Sequence, residues 1–296
     1  MTGESEFAVG SPELMDRIIK EYLPEEKGFQ KIIFEAMNYS VCAGGKRIRP
    51  LLMYETYRAF CGREEVIRPF LAAIEMIHTY SLVHDDLPCM DNDLYRRGLP
   101  TTWSKFGEDM GVLAGDSLLG YAFETALKGY SSINDKDAFF KALKILAEKS
   151  GCYGMLGGQV VDVGLTGKSM TKEQMFFVYE LKTSALIECS MMIGGALAGA
   201  DDTRITALES IASKVGLAFQ IKDDILDVTG DEAVIGKPVG SDQKNNKTTY
   251  VTVYGLEAAE KKVTELMDEA SEGLFELGCD TSVLKSIFDS LVYRNH

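Results

Sequence analysis

The chain has 296 residues, 46% of them hydrophobic, and a formal net charge of −14. This composition allows a sizeable core and excludes disordered and fibrous structures. The acidic balance argues against nucleic acid and anionic membrane surfaces as partners, because both would repel the protein. The many carboxylates have two explanations at this point: a solvated acidic surface, or side chains that bind metal cations.

The cysteines and the N-terminal residues indicate the cellular compartment of the protein. The six cysteines form no C-x-x-C pair, and we expect small buried side chains in a reducing compartment. Residues 1–10 carry Glu4 and Glu6 and lack the apolar region of a signal peptide. The apolar stretches are interrupted by polar residues well short of a membrane span. The sequence therefore predicts a cytoplasmic protein without a membrane partner.

The hydrophobic pattern predicts helices nearly throughout, because strand-like alternation is scarce. In chain order, helices are predicted over residues 70–84, 110–127, 138–150, 171–198, 205–227 and 258–277. The segments 70–84, 171–198 and 205–227 are apolar on most sides, as expected of buried central helices. Thr171 is a suitable N-cap, with Glu173 and Gln174 in the first turn after it.

Glycine-containing breaks are expected at residues 44–45, 98–100, 129, 157–158 and 236–238. None of these breaks is long or polar enough to separate domains, and no repeat of solenoid length is present. The sequence therefore predicts one all-α domain, residues 1–296, with a motif-free N-terminal segment of about 30 residues.

Two aspartate clusters follow the ends of central helices. Asp85, Asp86 and Asp91 surround Pro88, which should end or kink the first helix and leave the carboxylates at its mouth. The second cluster lies at the end of the helix predicted over residues 205–227. Its members are Asp223, Asp224 and Asp227, and Asp223 and Asp227 share one helical face with Gln220 and Gly216.

Adjacent carboxylates repel each other and resist burial, so two such clusters need an explanation. Mg²⁺ would provide one, because it binds one or two carboxylates together with waters and substrate phosphates. A helix N-cap or a solvated helix end could explain one cluster alone, but it explains two clusters in matching context poorly.

Basic residues occur in the same parts of the chain. Residues 44–50, Gly-Gly-Lys-Arg-Ile-Arg-Pro, combine a turn that brings the backbone close to an anion with cations that bind phosphate. Lys182 lies in an apolar helix, where a lysine is costly unless it is paired. Lys237 and Lys247 lie in a polar loop suited to closing over a bound anion. A solvated basic loop remains the alternative for each loop segment.

Together these motifs resemble the trans-isoprenyl diphosphate synthases, most closely the bacterial farnesyl diphosphate synthases. The resemblance runs from about residue 30 to the C-terminus. It is carried by Gly44-Gly45-Lys46-Arg47-Ile48-Arg49-Pro50, Asp85-Asp86-x4-Asp91 with Arg96-Arg97-Gly98, Gly158-Gln159-x-x-Asp162, Lys182-Thr183 and Gln220-x-x-Asp223-Asp224-x-x-Asp227.

The resemblance implies an all-α isoprenoid synthase fold around a deep central cavity, three Mg²⁺ ions and a homodimer. By position, the metal ligands would be Asp85, Asp86, Asp91, Asp223, Asp224 and Asp227. The allylic diphosphate would be held by Arg96, Gln159, Lys182, Lys237 and Lys247, and isopentenyl diphosphate by Lys46, Arg49, His78 and Arg97. Gln159, Thr183 and Gln220 would lie near the developing cation, with Lys182 also catalytic. Arg294 would close over the isopentenyl site.

The chemistry implied is ionisation of an allylic diphosphate, attack by isopentenyl diphosphate on the carbocation, and proton loss. Cations stabilise the leaving diphosphate, and a dry apolar cavity protects the carbocation from water. The released diphosphate would act as the base, in agreement with the lack of an obvious protein base in the sequence.

Product length in this family depends on the residues before the first aspartate motif. Tyr80, five residues before Asp85, resembles the bacterial farnesyl type and lies about 7.5 Å below the metals on an ideal helix. Ser81 is closer than Tyr80 to the face of Asp85, so the role of Tyr80 as the cavity floor rests on the resemblance. The sequence departs from relatives at Leu94, where an aspartate is common, and at Trp103, where histidine is common.

Three other functions remain open. A geranylgeranyl or geranyl diphosphate synthase would share the mechanism and differ in product length. A terpene cyclase would share the fold, but it needs no isopentenyl site, so Lys46, Arg49 and Arg97 argue against it. An inactive regulatory subunit of a heteromeric synthase would be expected to lose aspartates, and all six are present.

Overall fold

The computed structural model describes residues 9–62, 65–229 and 248–293. Lys237, Lys247 and Arg294, which were predicted to contact substrate phosphates, lie outside this part of the chain. The described helices are α1 (Pro12–Glu21), α2 (Lys31–Cys42), α3 (Ile48–Ala59), α4 (Ile67–Asp85), α5 (Thr102–Phe106), α6 (Glu108–Leu127), α7 (Lys136–Ser150), α8 (Met155–Gly164), α9 (Lys172–Val178), α10 (Ala185–Leu197), α11 (Asp202–Thr229), α12 (Tyr250–Tyr254), α13 (Leu256–Glu276) and α14 (Ser282–Val292).

The prediction of an all-α fold is confirmed. Beyond the α-helices, the described residues hold a 3₁₀ turn (Lys128–Ser132), a π-helix (Tyr179–Ser184) and one small hairpin. In the hairpin, β1 (Tyr95–Arg96) pairs antiparallel with β2 (Leu99–Pro100). None of the described helices combines the length and the apolar character needed to cross a membrane.

Central helices α3 and α10 hold two hydrophobic clusters together. Every residue of α10 is buried, so this helix is packed on all sides. Leu186 faces the cluster built mainly on α4, whereas Ile187 faces the cluster built mainly on α11 and α13. Leu51 and Leu52 of α3 divide in the same way. The ends of α4 and α11 that carry the aspartates are thereby fixed to one frame.

The segment predicted as one helix over residues 171–198 is divided by the π-helix. Its start is as predicted: Thr171 caps Gln174, and the two residues form a reciprocal capping box. The π-helix follows, and α8 and α11 both pack very closely against it. A Cβ on Gly158 of α8 would lie 2.3 Å from the Lys182 amide nitrogen, and one on Gly216 of α11 would lie 2.4 Å from Ser184 Oγ.

Two sequence predictions are wrong. The break expected at residues 157–158 lies inside α8, because these glycines serve close packing rather than a turn. The cysteines are not uniformly buried. Cys189 is buried and Cys279 is partly buried, whereas the other four are exposed: Cys42, Cys61, Cys89 and Cys152.

Candidate active site

A cavity of about 270 Å³ lies between the C-terminal half of α4, α8, the π-helix and α11. Predicted site residues from all four elements line it, together with one from the start of α3: Arg49, His78, Tyr80, Ser81, Asp85, Gln159, Lys182, Thr183 and Gln220. Apolar side chains fill the spaces between them, among them Met155, Leu156 and Phe219. The resulting pocket is lined mostly by apolar surface, with polar side chains among it.

The first aspartate cluster lies where α4 ends. Asp86 is the C-cap residue and is buried against Arg96, whose Nε lies 2.7 Å from Oδ1 and 3.0 Å from Oδ2. Asp91 folds back so that its amide donates to the Asp85 carbonyl at 2.8 Å, and its carboxylate is exposed. Asp85 and Asp91 are therefore presented to the cavity mouth, whereas Asp86 is already paired.

Asp85 is the member of this cluster that lines the cavity. The amide Nε2 of Gln159 donates a hydrogen bond to its Oδ1. Burial raises the pKa of Asp85 to about 6, and the charges of Asp91 and Asp86 act in the same direction, opposed by Lys182 and Arg96. A cation bound here would relieve that repulsion.

The aspartates of the second cluster lie on two different sides of α11. Asp223 and Asp227 are half-buried on the face that the i, i+4 spacing predicts. Asp224 is 4% exposed, and its Oδ2 accepts hydrogen bonds from the Tyr179 hydroxyl at 2.5 Å and from the Tyr250 amide at 2.8 Å. The carboxylate of Asp224 thus joins α11 to the π-helix and α12, and its role as a metal ligand stays a prediction.

The π-helix directs its polar residues to two neighbours. Lys182 is paired, as the sequence required of a lysine in this context, with its Nζ 2.5 Å from Asp162 Oδ2 on α8. The Thr183 hydroxyl donates to Gln220 Oε1 on α11 at 2.8 Å. The oxygen atoms of Thr183 and Gln220 thus face the cavity side by side.

Cationic residues form another wall of the site. Arg49 lines the cavity, and among the residues that the structure describes its buried Nε has no hydrogen-bond partner. Burial lowers the pKa of Arg49 to about 10. Burial, followed by the charges of Arg49 and Arg97, holds the pKa of His78 well below 6.5. Lys46 is exposed beside this wall.

The β1–β2 hairpin explains how adjacent arginines serve different parts of the site. Its two turn residues, Arg97 and Gly98, have φ angles of 53° and 78°, as a two-residue type I′ turn requires. Arg96 reaches Asp86, whereas Arg97 donates to the Gly44 carbonyl and lies against Gly45. The sequence did not predict these strands, because each is only two residues long.

Tyr80 lines the cavity and is 5% exposed. Its ring stacks edge-to-face on His84, with 5.9 Å between the centroids. The His84 ring fills the space beside Gly115 of α6, where a Cβ would lie 2.0 Å from Nε2. Ser81 also lines the cavity, and its hydroxyl donates to the His78 carbonyl at 2.8 Å. The sequence interpretation missed His84, which braces Tyr80.

Trp103, for which the sequence offered no explanation, has a clear structural role. Its indole Nε1 donates to the Asp93 carbonyl at 2.9 Å, and the Thr101 hydroxyl donates to the same oxygen at 2.8 Å. Both bonds tie down the loop between Asp91 and the hairpin. Leu94, in the same loop, is exposed.

The site thus combines carboxylates and cations on one largely apolar cavity. The polyprenyl synthetase family model matches residues 30–277. The chain belongs to this family of trans-prenyltransferases.

Its relatives include the farnesyl diphosphate synthase of Geobacillus stearothermophilus, 40% identical over 98% of both chains. They also include the geranylgeranyl diphosphate synthase of Cyanophora paradoxa, 39% identical over 96% of this chain and 94% of the relative. A solved FPP/GFPP synthase from Zymomonas mobilis superposes with a TM-score of 0.84 at 33% identity over 95% of both chains.

Proposed function

We propose that this trans-prenyltransferase is a farnesyl diphosphate synthase, which condenses isopentenyl diphosphate with dimethylallyl or geranyl diphosphate. The observation that carries this proposal is the common cavity of Asp85, Arg49 and Tyr80. It combines a carboxylate mouth for one diphosphate, a cationic wall for a second, and an aromatic floor. A hydrolase or a simple binding protein would not need two anion sites on one apolar pocket.

Mg²⁺ is the proposed cofactor, with three ions expected from the family resemblance. Among the described residues, no three carboxylate, histidine or cysteine side chains converge into a pre-formed metal site. That suits Mg²⁺, which takes few protein ligands and completes its shell with waters and substrate phosphates. The raised pKa of Asp85 also fits a carboxylate that a cation would complement. The proposed ligands come from the two aspartate clusters: Asp85, Asp86, Asp91, Asp223, Asp224 and Asp227.

When bound, the metal neutralises charge on the leaving diphosphate. The residues of the chain do the remaining work. Lys182 would turn from Asp162 to the allylic diphosphate, while Arg49, His78, Lys46 and Arg97 hold isopentenyl diphosphate. Fixing both substrates in one pocket supplies orientation.

The hydroxyl of Thr183 and the amide oxygen of Gln220 face the developing positive charge, which they stabilise as dipoles. Met155 and Phe219 exclude water. The released diphosphate accepts the proton, since the described cavity lining offers no carboxylate base beyond the proposed metal ligand Asp85.

Geranylgeranyl diphosphate synthesis is the second candidate. The relatives carry both names at similar identity, so they support the reaction class without separating the products. The buried Tyr80 and its brace His84 favour the shorter C15 product, because their stacked rings line the pocket and would limit the length of the chain it holds.

We further propose that the whole chain is one polyprenyl synthase domain and that it acts as a homodimer. Helices α3 and α10 contribute to both hydrophobic clusters, which supports a single unit. Helix α6 leaves Val112, Leu113 and Leu127 exposed. A second copy of the chain would bury this apolar surface.

The test is to incubate the purified protein with Mg²⁺, labelled isopentenyl diphosphate and, separately, dimethylallyl, geranyl and farnesyl diphosphate. Chromatographic sizing should give a C15 product from the first two starters and little elongation of the third. A C20 product would keep the mechanism and replace the product assignment. No product from any starter would contradict the catalytic function and favour a regulatory subunit.

A further inference from the structure

The buried side chain of Arg47 anchors the basic loop, residues 44–50, to neighbouring helices. Its side chain is 2% exposed. Its Nε donates to Asp16 Oδ1 on α1 at 2.7 Å, and its Nη1 donates to Glu75 Oε1 on α4 at 2.5 Å. Its Nη2 donates to the Val41 carbonyl of α2 at 2.7 Å. One guanidinium therefore joins three helices at the point where α3 begins.

The backbone around Arg47 adopts a conformation that needs such an anchor. Gly44, Gly45 and Arg47 all have positive φ angles, of 87°, 139° and 51°. Glycine adopts such angles freely, but a left-handed non-glycine residue is strained and persists only where its surroundings enforce it. The three side-chain bonds of Arg47 supply that enforcement. Its carbonyl also accepts the Leu51 amide at 3.0 Å and so starts α3.

The anchored loop determines where the neighbouring cations lie. Lys46 precedes Arg47 and is exposed. Arg49 follows it by two residues and lines the cavity, and its buried Nε has no hydrogen-bond partner among the described residues. The guanidinium of Arg97 packs on Gly45 of the same loop. Any shift of the loop would move all three cations relative to His78, which lies one turn beyond Glu75 on α4.

We propose that Arg47 is a positioning residue for the second diphosphate site: held by Asp16 and Glu75, it places Lys46, Arg49 and Arg97 to grip isopentenyl diphosphate. This inference rests on the proposed function. Arg47 is not among the described residues that line the cavity and its side chain is 2% exposed, so it does not contact the substrate itself. Its charge lies against that of buried Glu75, and its proposed action is to fix the geometry of the loop.

A charge-conserving substitution separates geometry from electrostatics. Arg47→Lys keeps the positive charge beside Glu75, but its single nitrogen cannot reach both carboxylates and the Val41 carbonyl. The matched control is Arg58→Lys on the same helix, where Arg58 pairs with buried Glu55 at 2.8 Å. We expect Arg47→Lys to raise the KM for isopentenyl diphosphate about tenfold, as for one lost charge-assisted hydrogen bond. The KM for geranyl diphosphate should stay within twofold.

The control Arg58→Lys should change neither KM by more than twofold. Asp16→Asn removes one of the three bonds and serves if Arg47→Lys does not fold; it should raise the same KM by a smaller factor. Unchanged constants, or a parallel rise in both KM values, would overturn the positioning role. The wild-type protein is assayed alongside. If it fails to elongate geranyl diphosphate, the proposed function is wrong. If it is active and Arg47→Lys is unaffected, only the inference about Arg47 is wrong.

Discussion

At the scale of single residues, Tyr80 is the proposed determinant of product length. Its ring lines the cavity and is 5% exposed. Tyr80→Ala removes that ring and opens room for a further isoprene unit, so we expect C20 or longer products in the sizing assay. Tyr80→Phe keeps the ring and is the matched control, with C15 unchanged. An identical product profile for the alanine variant would remove Tyr80 from the floor.

The second aspartate cluster offers a contrast between adjacent residues. We expect Asp223→Ala to lower kcat by at least about a hundredfold with little change in Tm, because it removes a proposed metal ligand from a half-buried position. Asp224→Ala leaves the Tyr179 hydroxyl and the Tyr250 amide without their acceptor and should lower the free energy of unfolding by about 1–3 kcal/mol.

Denaturant unfolding and steady-state kinetics separate these two effects. Full activity in Asp223→Ala would contradict the metal assignment, and an unaltered unfolding midpoint in Asp224→Ala would contradict the structural role.

The different orientation of Asp224 could be predicted in part from helical geometry. At about 100° per residue, Asp224 turns away from the face shared by Asp223 and Asp227. What the sequence could not supply was the identity of its partners, because Tyr179 and Tyr250 are distant in the chain.

His78 gives a pH dependence with a definite sign. Burial, then Arg49 and Arg97, lower its pKa in the folded state well below 6.5. The unfolded chain therefore binds a proton at a higher pH than the folded protein does, and this contribution to stability is lost as pH falls below about 6.5. For this group alone the loss approaches about 1.4 kcal/mol per pH unit.

The titration itself can be followed by NMR of the histidine ring. His78 should remain neutral at pH 6 in the free protein, and its pKa should rise when isopentenyl diphosphate brings negative charge to the arginines. His78→Gln, which cannot titrate, should flatten the stability profile between pH 5 and 6.5. A His78 resonance with an ordinary midpoint near 6.5 would contradict this account.

At the scale of elements, the π-helix sets the direction of Lys182 and Thr183. It is closed in by Gly158, whose added Cβ would meet the Lys182 amide nitrogen at 2.3 Å and the Leu181 carbonyl carbon at 2.9 Å. Because both contacts are backbone atoms, Gly158→Ala must displace the π-helix. Overpacking of this kind costs about 1–3 kcal/mol. We expect kcat to fall at least about tenfold, since small displacements of positioning groups are expensive.

Gly164→Ala is the matched control on the same helix, α8. Within the described part of the chain, nothing lies within 4 Å of its added Cβ, so activity should be retained and Tm should be unchanged or slightly higher. Equal activity in the two variants would remove the π-helix from the list of elements that orient the site.

Most elements could be predicted from hydrophobic periodicity, and the exceptions have physical reasons. The capping box at Thr171 is local chemistry, so the start of α9 was predictable. The π-helix was not, because it results from the approach of Gly158 and Gly216 on two other helices. From the sequence alone Gly158 predicted a turn, whereas in the fold it allows close helix packing. Asp16 likewise lay in a segment without motifs, and only its contact with Arg47 reveals its use.

At the scale of the whole molecule, the exposed apolar surface of α6 predicts association of two chains. Leu113 and Leu127 point within about 40° of one another and lie about 21 Å apart along the helix, so they define one extended face with Val112. The buried side of α6 carries Gly115, on which the His84 ring packs. Burial of this face in a dimer would therefore also stabilise the floor beneath Tyr80.

Leu113→Glu places a charge in the proposed interface, where it would be desolvated without a partner. Light scattering should give the wild type twice the 32.6 kDa of one chain and shift the variant toward the single-chain mass. Phe275→Glu is the control, because Phe275 is 86% exposed on α13, at a position without a proposed contact. If the floor depends on the interface, the dissociated variant should also yield a broader range of product lengths. A wild-type protein of single-chain mass would contradict the dimer, whereas a dimeric Leu113→Glu would move the interface to another face.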